Sequence, residues 1–295
     1  MKTVNRNRKA FSIVELLTVM SIIIILMSLL LPAMNMIKRY SKKVKQHAQF
    51  HSIAAGLDMF LNEIGDYPES DRLDDDGVPY CGAMRLAEAM VGQDLLGFHE
   101  RSLFRSNGQD GANIVIYPDF ATLTPQEKED NLASRRGPFV QPDKSEAYTI
   151  KEVYPAALLG AVFDPCSMVI CDEYPRVRNQ QTGKKIGMPV LYYRADVSGQ
   201  EHVYGGTNNI YENLDNQDLI DLGLPWDSTG ASVHPMDTSV ASPSGPELFY
   251  GITEDSRATA LSNLTRPVLA DTYILISAGF DGLYGTRDDV YNFGE

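Results

Sequence analysis

The first part of the chain carries a long run without charge. Residues 16–37 contain no Asp, Glu, Lys or Arg over 22 positions. A helix needs about 20 consecutive apolar residues to cross a bilayer, so this pattern predicts a transmembrane helix half over residues 11–37. Glu15 lies at the start of the segment. A carboxylate at membrane depth costs about 2.5–3.5 kcal/mol, so we expect Glu15 to have a functional partner.

A second pattern follows, with apolar residues on one side only. Phe50, Ile53, Leu57, Phe60 and Ile64 recur at spacings of three and four, which is the period of one helix face. A Gly and then a Pro end this pattern, as is typical of helix C-termini. We therefore predict that the helix of the first segment continues as an amphipathic half over residues 38–68.

Residues 69–295 are predicted to form the head domain, with short helices, strands and loops. Short helices are predicted at residues 84–90 and 93–98, and strands at 190–195, 268–270 and 273–277. Loops rich in Gly, Pro, Asn and Ser fill much of the rest. The predicted fold class is α+β: a long N-terminal helix, first membrane-spanning and then amphipathic, packs on a C-terminal antiparallel sheet. Residues 69–265 form a large irregular insert in this scheme.

Charge narrows the range of partners. The chain has 26 basic and 39 acidic residues, a net charge of −13, and residues 1–45 hold nine of the basic residues and one acid. The acidic remainder argues against nucleic acid, whose phosphates require a basic surface. It suits a divalent cation, or solubility alone.

A short basic leader precedes the uncharged run. Residues 1–10 contain no acid and four basic residues, namely Lys2, Arg6, Arg8 and Lys9. This leader, followed by Ala10, Phe11 and then Glu15, resembles the processing signal of type IV pilins and type II secretion pseudopilins. Pro32, 21 residues after Phe11, matches a proline that the family often carries.

The resemblance implies specific roles for these residues. A prepilin peptidase would cut between Ala10 and Phe11, and the new amino group of Phe11 would be methylated. Ala10 departs from the Gly usual in the family, although it is also small. Glu15 would neutralise the amine of a neighbouring subunit, because an unpaired buried charge is costly. An ordinary secretory signal peptide and a plain signal anchor compete with this interpretation.

By the same resemblance we expect a structural subunit rather than an enzyme, most like the major pseudopilin. It would form a periplasmic fibre with itself and minor pseudopilins and drive protein export, served by an inner-membrane platform and an ATPase. The expected location is the inner membrane, crossed once, with a cytoplasmic amino terminus and a periplasmic head. A type IV pilus subunit is the close alternative. A membrane-anchored extracytoplasmic enzyme or binding domain is the alternative of another class.

The carboxy-terminal segment offers a candidate metal site. Asp281, Asp288 and Asp289 fall within nine residues that also contain two glycines, and calcium binds carboxylate and carbonyl oxygens in irregular loops. The segment resembles the calcium loop of major pseudopilins. That resemblance implies Asp281 and Asp288 as ligands, with Asp289 or the Leu283 carbonyl next. A solvated acidic turn is the competing interpretation.

The cysteines and histidines give weaker indications of a disulfide or a catalytic site. Cys166 and Cys171 are close enough in sequence to form a disulfide in an oxidising compartment, and free buried thiols are the alternative. Cys81 would remain unpaired. The five histidines are scattered, and no nucleophile motif or phosphate-binding loop accompanies them. The sequence therefore gives no catalytic constellation.

Overall fold

The computed structural model describes residues 12–160, 162–227, 229–262 and 265–294. The chain divides into two compact units, Met1–Lys42 and Lys43–Glu295. The leader over residues 1–10 and the predicted new terminus at Phe11 lie outside the described residues.

The helices are α1 (Ile13–Ile64), α2 (Gly82–Val91), α3 (Pro125–Ala133), α4 (Ile150–Val153), α5 (Ala156–Leu159), α6 (Gln217–Ile220), α7 (Gly245–Thr253) and α8 (Ser256–Ser262). Short 3₁₀ turns lie at Pro142–Lys144 and Asn213–Asn216. The strands are β1 (Phe98–His99), β2 (Arg135–Arg136), β3 (Ala147–Thr149), β4 (Met168–Ile170), β5 (Val177–Arg178), β6 (Lys185–Ile186), β7 (Leu191–Arg194), β8 (Tyr273–Ser277) and β9 (Val290–Tyr291).

In the first unit the described residues belong to α1 and to Ser12 just before it. Among the residues that the structure describes, no helix is long and apolar enough to cross a membrane.

Three predictions that depended on a membrane crossing were therefore wrong. The first is the transmembrane helix over residues 11–37, and the second is the fold class built on that helix. The third is the location in the inner membrane with a single pass, a cytoplasmic amino terminus and a periplasmic head. The same finding contradicts all three.

The strands of the second unit form small separate sheets rather than one large sheet. Three antiparallel pairs (β1–β2, β3–β4 and β5–β6) stand beside a three-stranded antiparallel sheet of order β7-β8-β9. In that sheet Leu191 pairs with Ile276, and Ile276 pairs with Tyr291. The described chain is accordingly α+β, with its strands distributed over four small sheets.

Helix α2 lies at the centre of the second unit. All ten of its residues are buried, and it packs against β4 and β7. Its small residues permit this close approach: a Cβ added to Gly82 would lie 2.1 Å from the Tyr192 carbonyl oxygen of β7. Only glycine fits at that contact.

The buried stripe of α1 meets aromatic rings. Phe50, Ile53, Leu57 and Phe60 are at most 3% exposed, and the Phe60 ring packs edge-on against Phe98 at 5.0 Å and Phe139 at 5.6 Å. Ile64, which was predicted to belong to the stripe, is 41% exposed. The prediction that the N-terminal helix packs on a C-terminal sheet was wrong, because α2 is the helix that packs against strands β4 and β7.

Two buried polar side chains of α2, those of Arg85 and Glu88, have several hydrogen-bond partners each. The Arg85 guanidinium donates to the Tyr80 and Leu73 carbonyls and pairs with Glu69. The Glu88 carboxylate accepts hydrogen bonds from four side chains, those of Tyr80, Gln93, Ser102 and Tyr117. Burying a charge is tolerable only with such partners, so these contacts fix the segments around α2.

Candidate functional site

Glu15 caps the start of α1. The Ser12 amide donates to Glu15 Oε2 at 3.0 Å, and the Ser12 hydroxyl accepts from the Val14 amide at 3.3 Å. This exchange satisfies amides that the first helical turn leaves without a partner. The negative charge also lies at the positive end of the helix dipole. The Glu15 side chain is thus held at the first turn of α1.

The large apolar side chains that the structure describes in the first part of α1, between Ile13 and Ile37, lie open to solvent. Between positions 13 and 37 the exposed large apolar residues are Ile13, Val14, Leu16, Leu17, Val19, Met20, Ile22, Ile23, Ile24, Ile25, Leu26, Met27, Leu30, Leu31, Met34, Met36 and Ile37. Thr18, Ser21 and Ser28 donate their hydroxyls to carbonyls of their own helix. The helix continues through Pro32. An apolar surface of this extent marks an interaction site.

The predicted metal residues lie in the turn between β8 and β9. The Asp281 amide donates to Asp288 Oδ2 at 2.9 Å, and Asp281 Oδ1 accepts from the Leu283 amide at 2.8 Å. The turn closes tightly at Gly279, where φ is +65° and an added Cβ would lie 2.1 Å from the Asp288 carbonyl oxygen. The fold thus brings Asp281 and Asp288 together.

The pKa values of the three carboxyl groups in this turn are shifted in different directions or for different reasons. Burial raises the pKa of Asp289 to about 7, and its carboxylate accepts from the Gly285 amide and the Tyr291 hydroxyl. Burial, with the nearby Asp288, raises the pKa of Asp281. At Asp288 burial alone would raise the pKa as well, but hydrogen bonds from Thr286 and the Asp281 amide outweigh burial, and the pKa of Asp288 is lowered.

The fit of this turn to a metal ion is incomplete. The part of the chain that the structure describes contains no group of three or more His, Cys, Asp or Glu residues that could hold a metal ion. Asp289 Oδ2 is engaged by Gly285 and Tyr291, which leaves Asp281 and Asp288 as the neighbouring carboxylates. Calcium at Asp281, Leu283, Asp288 and Asp289 stays a prediction.

The three cysteines are free. Cys81 and Cys171 are buried, whereas Cys166 is exposed and its Sγ accepts from Lys151 Nζ at 3.3 Å. Burial raises the pKa of Cys81 to about 12 and also raises that of Cys171. The suggested Cys166–Cys171 bridge is therefore absent.

Two histidines that the sequence left unplaced are core residues. His202 and His234 are each at most 1% exposed, and burial lowers both pKa values to about 4. His202 packs against Tyr250 at 4.9 Å, and His234 accepts a hydrogen bond from the Tyr284 amide. Both imidazoles are neutral parts of the packing.

Sequence reasoning missed a cavity of about 340 Å³ formed by residues 69–71, 194–197 and 207–215. We call it the Asp215 cavity. Its charged lining consists of Glu69, Asp71, Arg194, Asp196, Glu212 and Asp215. Residues 69–71 lie more than 120 positions before the other two segments, so no local pattern indicated that they meet.

Comparison with known proteins adds no relative. A scan against protein-family models and searches of curated proteins and solved structures gave no match.

Proposed function

We propose that this chain is a pilin-like structural subunit, most like the major pseudopilin of a type II secretion system. A prepilin peptidase would process it between Ala10 and Phe11. The mature chain would assemble with copies of itself, through α1, into a fibre that drives protein export. The observation that carries the proposal is the joint occurrence of the capped Glu15 and the exposed apolar surface of residues 13–37.

The geometry of α1 supports assembly through this segment. Copies that pack their apolar side chains against one another remove them from water, at about 25 cal/mol for each Å² buried. Such packing would also bury Glu15, whose charge then needs a positive partner. The amine that cleavage creates at Phe11 would lie next to Ser12 and supplies that partner between copies.

The test compares Glu15→Ala and Glu15→Gln with the wild-type protein. Both variants remove the charge, and Glu15→Gln keeps an acceptor for the Ser12 amide. We expect each variant to form few or no fibres under electron microscopy while the folded head is retained. Glu129→Gln, at an exposed position of α3, is the matched control and should assemble normally.

Mass spectrometry of the same samples checks the processing step. The mature wild-type chain should begin at a methylated Phe11. Fibres formed at the wild-type rate by both Glu15 variants would contradict the proposal, as would an unprocessed leader in the presence of an active peptidase.

A further inference from the structure

A groove in the second unit is lined mainly by aromatic rings. It has a volume of about 440 Å³, and its walls come from α1, from Tyr273 of β8 and from residues 291–294. We call it the aromatic groove. Among the described residues its lining consists of His47, Phe50, His51, Ala54, Tyr273, Tyr291, Asn292, Phe293 and Gly294, without Asp, Glu, Lys or Arg. The Asp215 cavity, by contrast, has six charged residues in its lining.

Two walls bring the rings of the aromatic groove together. Positions 47, 50, 51 and 54 of α1 follow the i, i+3, i+4, i+7 pattern of one helix face. In the other wall the rings of Tyr291 and Phe293 stack with their centroids 4.9 Å apart. Both rings are half-buried, and His51 is exposed at the solvent side. The groove therefore keeps aromatic surface that the packing of the second unit leaves uncovered.

Polar atoms beside these rings already have partners. The Asn292 side chain accepts a hydrogen bond from the Leu275 amide and donates one to the Tyr273 carbonyl. The Tyr291 hydroxyl donates to Asp289 Oδ2. A polar group that enters a buried site needs a free donor or acceptor there. The inner part of the groove thus suits an apolar occupant.

The first part of α1 has the properties of such an occupant. Residues 16–37 contain no charged residue, and their large apolar side chains are exposed. If this segment covered the aromatic groove, neither surface would bury an unpaired charge against the other. An engineered cavity of about 150 Å³ already holds a benzene molecule, so a groove of about 440 Å³ has room for more than one aliphatic side chain.

Symmetry favours a contact between these two different surfaces. A contact between the same surface on two copies closes into a dimer, whereas a contact between different surfaces can continue from copy to copy as a filament. A helix that places its apolar side chains in a groove is a common mode of recognition. We propose that residues 16–37 of one copy dock in the aromatic groove of the next copy. This inference rests on the proposed function and names the receiving surface for the same assembly.

The test places a photoreactive benzophenone in the groove of the full-length chain. Replacing Phe293 with p-benzoylphenylalanine keeps an aromatic ring at this half-buried position. Chains labelled with ¹⁴N and chains labelled with ¹⁵N are mixed before they assemble, light joins the benzophenone to C–H groups in contact, and mass spectrometry identifies the joined peptides. We expect mixed-isotope products that join position 293 to residues 16–37. Products confined to one isotope, or joined only to residues outside 16–37, would overturn the inference.

A charge placed in the groove should block docking. His51→Glu adds a carboxylate at an exposed position of the lining, and the yield of the mixed product should fall about tenfold because docking would remove that charge from water. Met59→Glu is the matched control, since Met59 is 47% exposed on α1 and lies outside the lining. Its yield should equal that of the wild type. Equal yields in the two variants would contradict the inference.

The two proposals can fail separately. Fibres that depend on Glu15 but give no product between position 293 and residues 16–37 would remove this inference and leave the proposed function in place. Absence of Glu15-dependent fibres would remove the proposed function, and with it this inference.

Discussion

Gly82 shows how a single residue sets the packing of the second unit. Its missing side chain lets the start of α2 approach the Tyr192 carbonyl of β7. Gly82→Ala should destabilise the protein by about 3 kcal/mol, because backbone has to move to admit the methyl group. Gly251→Ala, in α7 with no neighbouring atom within 4 Å, should stabilise it by about 1 kcal/mol. Urea unfolding measures both, and equal effects would disprove the account.

Asp172 is a second residue whose surroundings make a measurable difference. Burial raises its pKa to about 7, although its carboxyl accepts from the Ser277 hydroxyl and the Met188 amide. From about pH 4 to pH 7 the unfolded chain loses this proton while the folded chain keeps it. The contribution of Asp172 to the free energy of unfolding therefore falls as pH rises through this window.

Asp172→Asn should remove that dependence. The free energy of unfolding of the variant, relative to wild type, should rise between pH 4 and pH 7 by up to about 4 kcal/mol, at 1.36 kcal/mol per pKa unit. Urea titrations at several pH values measure the difference, with Gly251→Ala, which changes no titratable group, as the control whose difference stays constant. A constant difference for Asp172→Asn would mean that this carboxyl ionises normally.

Among the elements, strands with a strong local pattern were predictable. Strand β8 was predicted at residues 273–277 and observed there. Tyr273, Ile274 and Ile276 favour strands, and all five residues are buried, as in a strand covered on both faces. The predicted strand at 268–270 and helix at 93–98 were wrong. Each contains a leucine with positive φ, Leu269 at 48° and Leu95 at 66°. Tertiary contacts impose these backbone conformations, and hydrophobic pattern does not encode them.

The turn between β8 and β9 is the element at which calcium can be tested. A bound ion would stabilise the folded chain by about 2.7 kcal/mol at a hundredfold excess over Kd. We expect a higher melting temperature for the full chain with calcium than with chelator. Asp281→Ala and Asp288→Ala should each remove most of the difference, whereas Asp130→Ala should not. A melting temperature that calcium leaves unchanged in the wild type would identify the turn as self-contained.

At the scale of the whole molecule, what the sequence could predict depended on distance along the chain. The burial of Phe50, Ile53, Leu57 and Phe60 follows from a local period. The Asp215 cavity does not, because its segments come together only when β7 is in its sheet and residues 69–71 lie beside it. The role of α2 was hidden for the same reason, since its sequence shows small residues but not the strands that they approach.

The three free thiols differ in their access to a thiol-specific reagent. The reagent reaches the exposed thiol in the folded protein, and it reaches the two buried thiols only when the second unit opens. Cys166 is exposed, whereas Cys81, which directly precedes α2, and Cys171, which directly follows β4, are fully buried. Thiol-specific labelling should therefore show one fast and two slow sites. At high reagent concentration the slow rate equals the rate at which the second unit opens. Labelling of all three thiols at one rate would mean that α2 separates from the strands far more often than its burial implies. The labelling rates of Cys81 and Cys171 therefore report how often the second unit opens.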